Sequence, residues 1–309
     1  MNNAASKVTV VGSGISGAVC ACTLARNGIS VTLFDSARGP GGRMSQRRET
    51  SEDGNEMLFD HGAPFFTVTN NDVLALVREW ESGGLVAEWK VNLGSFDRVS
   101  KKFVNIQQDG MNKKYVGVPG MNSICKALCH QPDLTFAPDL AVKLEEIPVN
   151  PCFALMLAFS KPLSPIPVKG FSFQDSEVLS WAHCDSSKPG RSAHSERWVL
   201  HSTADYARTV IAQTGLQKPS EATLKKVAEE MFQEFQGTGL SIPLPIFRKA
   251  HRWGSAFPAA SIAKEERCLW DVKKRLAICG DFCVSPNVEG AILSGLAAAS
   301  KLTEILSCL

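Results

Sequence analysis

The residues with the clearest chemical role lie near the start of the chain. Gly12-Ser13-Gly14-Ile15-Ser16-Gly17 follows a strand predicted over 7–11 and opens a helix predicted to reach about residue 27. A second strand, predicted over 30–34, ends at Asp35. Gly-x-Gly-x-x-Gly at the first turn of a βαβ unit, with an acid after the second strand, is typical of a dinucleotide-binding site.

Each part of this motif has a physical task. Gly12 makes the tight turn, Gly14 lets a diphosphate approach the backbone, and Gly17 lets the helix pack closely against the strand. The helix N-terminus supplies free N–H groups and positive potential to the diphosphate. Asp35 can accept hydrogen bonds from both hydroxyls of an adenosine ribose. Glycines that merely form a turn are the alternative interpretation, but this leaves Asp35 without a role.

A second glycine-rich turn favours FAD over NAD as the ligand. Arg38-Gly39-Pro40-Gly41-Gly42-Arg43-Met44 lies just beyond the ribose acid, where a nicotinamide-binding domain has no need of such a loop. FAD is longer and needs an arginine near its diphosphate or flavin end. An arginine on a surface loop is the simpler alternative. The acid followed by Arg-x-x-Gly-Gly-Arg resembles the amine-oxidase superfamily of flavoproteins.

Three further stretches sharpen the resemblance to the renalase-like branch of that superfamily. Residues 59–66 resemble the segment that passes beneath the flavin ring, and residues 115–124 resemble the re-entry into the FAD-binding domain. Near the C-terminus, a strand predicted over 276–279 is followed by Gly280-Asp281, a pair suited to a ribityl hydroxyl. A helix is predicted from residue 287 to about 306, and its N-terminus is suited to the flavin N1/C2=O, where reduction places negative charge.

The resemblance implies an α/β fold: a Rossmann-like FAD-binding domain of the p-hydroxybenzoate-hydroxylase or amine-oxidase type, with an inserted α+β substrate domain. It implies an enzyme that accepts a hydride from a small reduced substrate, a reduced NAD(P) isomer or an amine, onto flavin N5 and passes electrons to oxygen. The predicted FAD-binding residues are Gly12, Gly14, Ile15, Ser16, Gly17, Asp35, Ser36, Gly41, Gly42, Arg43, Met44, Gly62, Ala63, Pro64, Phe65, Gly280, Asp281, Val288, Glu289 and Ala291.

Candidate catalytic residues are few, because hydride transfer to a flavin depends mainly on positioning and on exclusion of water. His201 matches a strand position that faces the substrate cavity in renalase-like proteins, Trp253 could form a wall of the flavin site, and His61 lies near the flavin by its motif. The alternative for each is an ordinary core residue.

The middle of the chain has the periodicity of an α+β domain. Helices are predicted over 71–82, 122–129 and 220–236, the last with Ser220 as N-cap. Strands are predicted over 153–159, 170–173, 178–182 and 198–202. We expect residues 1–66, 105–140 and 268–309 to form the FAD-binding domain, and residues 67–104 and 141–267 to form the substrate domain.

One departure from the family pattern lies near residues 130–140. The crossover strands that this superfamily usually has there, which end in an apolar strand and a Pro-rich loop, are missing from the sequence. Such a gap predicts exposed strand edges. It leaves a second hypothesis open, that the chain is a shortened, catalytically silent flavoprotein with weak or no FAD binding. A NAD(P)-dependent reductase is a third, which Arg43 and Gly280-Asp281 disfavour.

The composition limits the class of protein and its partners. The chain has 309 residues, 44% hydrophobic and 21% charged, which predicts a soluble globular protein of one large or two smaller domains. Its formal charge of +2, without a basic stripe, disfavours nucleic acid as a partner. The longest apolar run, 152–159, is too short to cross a bilayer, and the polar residues 1–7 predict no signal peptide.

The ten cysteines predict buried free thiols in a reducing compartment. Two Cys-x-x-x-Cys pairs, at 125/129 and 279/283, keep a four-thiolate zinc site as an alternative, although we predict no metal. The expected location is the cytoplasm, or an organelle such as the chloroplast if a transit peptide has been removed.

Overall fold

The computed structural model describes residues 7–37, 39–51, 53–107, 113–129, 133–134, 149–273 and 275–307. The helices in these ranges are α1 (Ile15–Arg26), α2 (Asn71–Ser82), α3 (Asn122–Cys129), α4 (Ala204–Thr214), α5 (Glu221–Gln236), α6 (Asp281–Val284) and α7 (Val288–Ser307).

The strands fall in two groups along the chain. The first eight are β1 (Lys7–Val11), β2 (Ser30–Phe34), β3 (Arg47–Thr50), β4 (Glu56–Phe59), β5 (Val86–Glu88), β6 (Leu93–Asp97), β7 (Lys102–Gln107) and β8 (Tyr115–Gly117). The others are β9 (Asp133–Leu134), β10 (Val149–Phe159), β11 (Gly170–Gln174), β12 (Leu179–Cys184), β13 (Glu196–Ser202), β14 (Phe247–Pro258), β15 (Leu269–Asp271) and β16 (Leu276–Ile278).

The N-terminal βαβ unit forms as the sequence predicts. β1 and β2 run parallel, in a register that places Val10 opposite Leu33. Both side chains lie in the core, under α1. The helix ends because Gly28 takes a left-handed φ of +76°, a conformation that glycine adopts without strain.

The nucleotide-side sheet, as we call the sheet that contains β1, is small. Its order is β1–β2–β9, and helices α1 and α7 pack against each other beside it. Within the described residues, β1 pairs only with β2, and β16 pairs only with β15. The sequence gap predicted near residues 130–140 lies outside the described residues, apart from Asp133–Leu134.

The second sheet has seven strands in the order β14–β10–β13–β12–β11–β6–β7, and we call it the large sheet. It is antiparallel except where β6 runs parallel to β11. β10 is buried on both faces from Pro151 to Phe159 because helices α4 and α5 cover one face and Met57 and Phe59 of β4 cover the other. That explains the unbroken apolar run in the sequence, since a strand covered on both faces does not alternate.

Two main hydrophobic cores correspond to the two sheets. One joins α1, α3 and α7 to the nucleotide-side sheet and includes Val73, Val77 and Trp80 of α2. The other joins α4 and α5 to the large sheet and is rich in aromatic side chains. Helix α2 therefore packs with the nucleotide side, whereas the sequence assigned residues 67–104 to the substrate domain. The predicted division of the chain stays a prediction.

Local signals located most of the predicted elements. Helix α2 begins after Asn70, whose side chain accepts hydrogen bonds from the N–H groups of Asp72 and Val73. Helix α5 begins after Ser220, whose hydroxyl accepts one from Thr223. The sequence did not predict the β3–β4 hairpin, α4 or β14. No helix in the described ranges is long and apolar enough to cross a membrane.

Candidate functional site

A cavity of about 830 Å³ lies between the two halves of the molecule. The N-terminus of α1, the turn at 41–44, the segment 62–67 and the C-terminal segment 276–291 form its walls. The large sheet contributes Cys152, His201 and Trp253 at one end. Segments that are far apart in sequence therefore converge on one elongated space.

Nearly all residues that the sequence predicts for the site line this cavity. The exceptions are Asp35 and His61, which are not among its lining residues. The predicted residues that do line it are Gly12, Gly14, Ile15, Ser16, Gly17, Ser36, Gly41, Gly42, Arg43, Met44, Gly62, Ala63, Pro64, Phe65, His201, Trp253, Gly280, Asp281, Val288, Glu289 and Ala291.

The three glycines of the first motif differ in what surrounds them. Gly12 has a φ of +95°, which a tight turn requires. A Cβ on Gly17 would lie 2.0 Å from the Gly12 carbonyl oxygen, so only glycine allows α1 to pack this closely. A Cβ on Gly14 would meet no protein atom within 4 Å. Gly14 therefore borders open space, and no side chain caps the helix that starts there.

Arg43 and Asp281 form an ion pair across the cavity wall. The two guanidinium Nη atoms lie 2.7 and 2.6 Å from the two carboxylate oxygens, and Nη1 also donates to the Ala256 carbonyl at 3.0 Å. This bidentate contact joins the turn at 41–44 to the start of α6. The two residues, predicted as separate cofactor contacts, therefore act on each other in this structure.

Asp35 uses its carboxylate locally. It accepts hydrogen bonds from the Ser13 backbone N–H at 2.5 Å, from the Ser13 hydroxyl, and from the Ala37 N–H at 2.6 Å. These bonds tie the end of β2 to the glycine-rich turn. They turn Asp35 toward the protein backbone rather than into the cavity.

Glu289 also has a partner outside the cavity. Its carboxylate accepts hydrogen bonds from the backbone N–H groups of Thr69 and Asn70, both at 2.7 Å. The start of α7 is held on its other side by Asn287, whose Oδ1 accepts from the Gly290 N–H at 2.7 Å. The Ser16 hydroxyl donates to the Ala291 carbonyl at 2.6 Å, which joins the starts of α1 and α7.

The carbonyl oxygen of His61 connects the three predicted catalytic residues. Trp253 Nε1 donates to it at 3.0 Å, and His201 Nε2 lies 3.2 Å away. Since a carbonyl can only accept, the hydrogen of neutral His201 is on Nε2, which leaves Nδ1 as an acceptor. The sequence predicted these residues by their side chains, whereas the contact that joins them is a backbone atom.

The rings of His61, His251 and Trp253 pack against one another. Their centroids are 4.7 Å apart for His61 and His251, 4.8 Å for His61 and Trp253, and 4.9 Å for His251 and Trp253. Burial, with the neighbouring His251 and Arg47, lowers the pKa of His61 to about 3. Burial lowers the pKa of His201 and of His251 to about 4. At neutral pH the imidazole of His201, which lines the cavity, and those of His61 and His251 are therefore neutral.

The sequence missed Cys152, which lines the same end of the cavity. It lies opposite Trp253 in the pairing of β10 with β14, and its thiol donates to the Phe153 carbonyl at 3.3 Å. Burial raises the pKa of this thiol to about 11. Other lining residues that the sequence missed are Thr9, Val10, Val11, Cys20, Phe66, Thr67, Ala256, Phe257, Leu276, Ala277, Ile278, Cys279, Phe282, Pro286, Asn287, Ala298 and Leu302.

Metal ligands do not cluster in the described ranges. No group of three or more His, Cys, Asp or Glu residues there lies close enough to hold an ion. The described cysteines are free thiols, and all but Cys279 are buried.

Comparisons with known proteins agree with this geometry. Residues 10–80 match the family described as an NAD(P)-binding Rossmann-like domain. Over 76 residues the chain is 34% identical to "Protoporphyrinogen oxidase, mitochondrial" from Nicotiana tabacum. That similarity covers 25% of this chain and 14% of the relative, so it spans a small part of the longer protein.

Solved structures match along nearly the whole chain at low identity. Reduced UDP-galactopyranose mutase superposes with a TM-score of 0.68 and 11% identity, covering 98% of this chain and 96% of the other. Putrescine oxidase, as a double mutant, gives a TM-score of 0.56 and 10% identity, covering 97% and 100%. A probable FAD-dependent monooxygenase from Pseudomonas aeruginosa gives 0.55 and 14%, covering 98% and 87%.

These matches define the class of protein. The chain has a Rossmann-like NAD(P)-binding domain in a mixed α/β fold that is shared with FAD-dependent oxidoreductases. The predicted fold class is therefore confirmed. The assignment to the renalase-like branch stays a prediction.

Proposed function

We propose that the chain is an FAD-dependent oxidoreductase that accepts a hydride from a small reduced substrate and passes electrons to oxygen. The observation that carries this proposal is the cavity, whose lining includes an uncapped helix N-terminus, the neutral His201 and Trp253. One end suits a diphosphate and the other suits a flat ring. The name of the protoporphyrinogen oxidase relative supports the same class of chemistry.

The residues at the diphosphate end fit FAD. The space beside Gly14 is open, and a Cβ there would fill it without touching the protein. The free N–H groups at the start of α1 would hold the diphosphate, while Arg43 and Asp281 would lie along the ligand toward the flavin. The flavin ring would then be bordered by the segment 62–65 and by the start of α7.

Bound FAD supplies an acceptor for the hydride at N5, and the chain supplies position and a dry surrounding. Trp253 and Phe65 present apolar faces to the cavity, and His201 offers a neutral acceptor at Nδ1. No cysteine or serine is needed as a nucleophile. We propose reduced NAD(P), one of its isomers, or an amine as the substrate, and we keep the cytoplasm or an organelle as the proposed location.

A second candidate is a flavoprotein fold without activity. It is favoured by one observation: Thr9–Val11 of β1 and Leu276–Ile278 of β16 both line the cavity. Within the described residues these strands do not pair with each other. A space of this kind beside the dinucleotide site would weaken FAD binding.

The visible absorbance spectrum of the purified protein tests the proposal, with FAD identified by chromatography after heat release. A stoichiometric flavin spectrum that bleaches anaerobically with reduced NAD(P), its isomers or an amine, and recovers in air, is the expected result. A folded, colourless protein that cannot be reconstituted with FAD would contradict it and support the inactive fold.

Gly14→Ala separates cofactor binding from folding. Its Cβ meets no protein atom, so the variant should fold normally and yet lose FAD affinity by about tenfold or more, since the diphosphate loses its approach. Gly83→Ala is the matched control because Gly83 has a φ of −83° and ends α2 away from the cavity. Equal FAD affinity in both variants would place the diphosphate elsewhere.

A further inference from the structure

A cluster of buried charges lies behind the histidine end of the cavity. It consists of Asp60, Asp185, Lys188 and Arg191, whose side chains are at most 1% exposed, and we call it the charge cluster. None of the four lines the cavity. Burying charges is costly unless they are paired, so their arrangement calls for an explanation.

Lys188 lies at the centre of the charge cluster. Its Nζ is 2.6 Å from Asp185 Oδ1 and 3.2 Å from Asp60 Oδ2. Arg191 donates to the same Asp60 oxygen at 2.5 Å and to the Gly117 carbonyl at 3.0 Å. The Met121 N–H donates to the other Asp60 oxygen at 3.1 Å. Asp60 is thus held by three donors from two different segments.

These bonds join the large sheet to the segment that borders the cavity. Asp185, Lys188 and Arg191 follow β12 of the large sheet, whereas Asp60 directly precedes His61. Although burial alone would raise it, the charges of Lys188 and Arg191 lower the pKa of the Asp60 carboxyl. Asp60 therefore stays an anion that forms ion pairs with Lys188 and Arg191.

The charge cluster also faces two histidines. His183 Nε2 lies 3.8 Å from Asp185, and its ring centroid lies 6.0 Å from that of His201. Both His183 ring nitrogens and Asp185 Oδ2 are buried without a hydrogen-bond partner. After burial, which is the main cause, the charge of Lys188 lowers the pKa of both histidines further.

The groups that face His201 are therefore His61 from the segment after β4, His183 from β12, and Lys188 from the turn that follows β12. His61 in turn faces His251 of β14, Arg47 of β3 and Asp60. Lys188 is the member of the charge cluster whose charge acts on His201, and Asp60 and Asp185 hold its ammonium in place.

We propose that Lys188 is a positioning residue for the cavity: clamped between Asp60 and Asp185, it anchors the backbone at His61, so that the His61 carbonyl holds the hydrogen of His201 on Nε2. His201 then donates to the His61 carbonyl and presents Nδ1 as an acceptor. This inference rests on the proposed function only in taking the cavity as the reaction site.

Imidazole ¹H–¹⁵N spectra of the full-length protein, recorded between about pH 3.5 and pH 8, test this directly. The chain has six histidines, and the signal that disappears in His201→Gln identifies His201. In the unchanged protein we expect His201 to show a single tautomer, with its hydrogen on Nε2, and to stay neutral at pH 5. A His201 with its hydrogen on Nδ1 would overturn the proposal without any further variant.

Two variants remove the Lys188 charge in different ways. Lys188→Gln keeps donors for Asp60 and Asp185, and the double variant Lys188→Met with Asp185→Asn removes one charge of each sign, so that folding is preserved. In either folded variant we expect His201 to show both tautomers and, without the Lys188 charge, to titrate at a higher pH. Lys188→Arg keeps the charge and should restore the original titration.

The exposed pair of Arg208 with Asp205 provides the control, since Arg208→Met should leave His201 unchanged. If Lys188 only stabilises the fold, the variants will melt at lower temperature while His201 keeps its tautomer and its titration midpoint, and the proposal is then wrong. Because these spectra do not require FAD, a colourless protein with a Lys188-dependent His201 would contradict the proposed function and leave this inference intact.

Discussion

The nucleotide-side sheet and the large sheet differ in how completely their strands are covered. In the large sheet, β10 is paired on both sides, and Phe153, Leu155 and Leu157 have no exposed surface. In the nucleotide-side sheet, by contrast, Val11 of β1 is 51% exposed, and Leu276 of the nearby β16 is 48% exposed. Both of these residues line the cavity.

The two halves therefore differ in the source of their stability. The central strands of the large sheet bury their apolar side chains against α4 and α5, so they need no ligand to complete their core. The nucleotide side leaves apolar surface on the cavity wall, so a ligand that fills the cavity would add to its stability. Four measurements test this difference, and they are given from the largest expected effect to the smallest.

Phe171→Ala should be the most destabilising change of the set. Phe171 is fully buried in the core of the large sheet, and truncating such a ring typically lowers the free energy of unfolding by about 3–5 kcal/mol. Val11→Ala, at a side chain of β1 that is 51% exposed on the cavity wall, should cost about 1 kcal/mol or less. Urea unfolding followed by circular dichroism measures both, and equal losses would remove the contrast.

Acid should destabilise the histidine end of the cavity. The pKa of His201 falls from 6.5 in the unfolded chain to about 4 in the fold, so the unfolded state binds more protons between these values. Stability is therefore present above pH 6.5 and is lost as the pH falls toward 4, by on the order of 3 kcal/mol for this residue. His201→Gln should reduce the slope of this part of the stability–pH curve, to which His61 and His251 also contribute, and an unchanged slope would assign it to other groups.

FAD should stabilise the two halves unequally. At about one hundred times its dissociation constant, a ligand that binds only the folded state adds about 2.7 kcal/mol. Hydrogen exchange should then slow most in β1 and β16, which border the cavity, and least in β10, which is already covered. Equal protection of both sheets, or none, would show that FAD does not fill the cavity.

Glu289→Gln should have the smallest effect of the four. The carboxylate binds the N–H groups of Thr69 and Asn70, so its loss should cost about 1 kcal/mol in the free energy of unfolding. FAD affinity should remain unchanged if Glu289 acts through these contacts alone. A fall in affinity at equal stability would restore the cofactor role predicted from the sequence.

The elements that the sequence predicted are those with local signals. Helix α2 has its cap at Asn70 and its apolar side chains at helical spacing, and the βαβ unit has its glycines at the turn. β14 mixes charged, aromatic and small side chains, and only its pairing with β10 makes it a strand. Such pairing between distant segments leaves no local pattern to read.

The same limit applies to the candidate site. The glycine motifs located part of the cavity wall because each has a fixed local geometry. The Arg43–Asp281 pair joins residues from opposite ends of the chain, and Asp35 and Glu289 bind backbone groups that no motif specifies. Sequence patterns identified which residues lie at the site, whereas the partners of their charged groups could be identified only from the fold.

The His61 carbonyl, which accepts two hydrogen bonds, determines which experiments can measure this site. Trp253 and His201 both donate to a main-chain oxygen, which every amino acid at position 61 would provide. Substitution of the side chain at this position would therefore leave the acceptor in place and underestimate its contribution. Replacing the amide between residues 61 and 62 by an ester weakens that oxygen as an acceptor while keeping all side chains, so backbone chemistry is the way to measure its contribution.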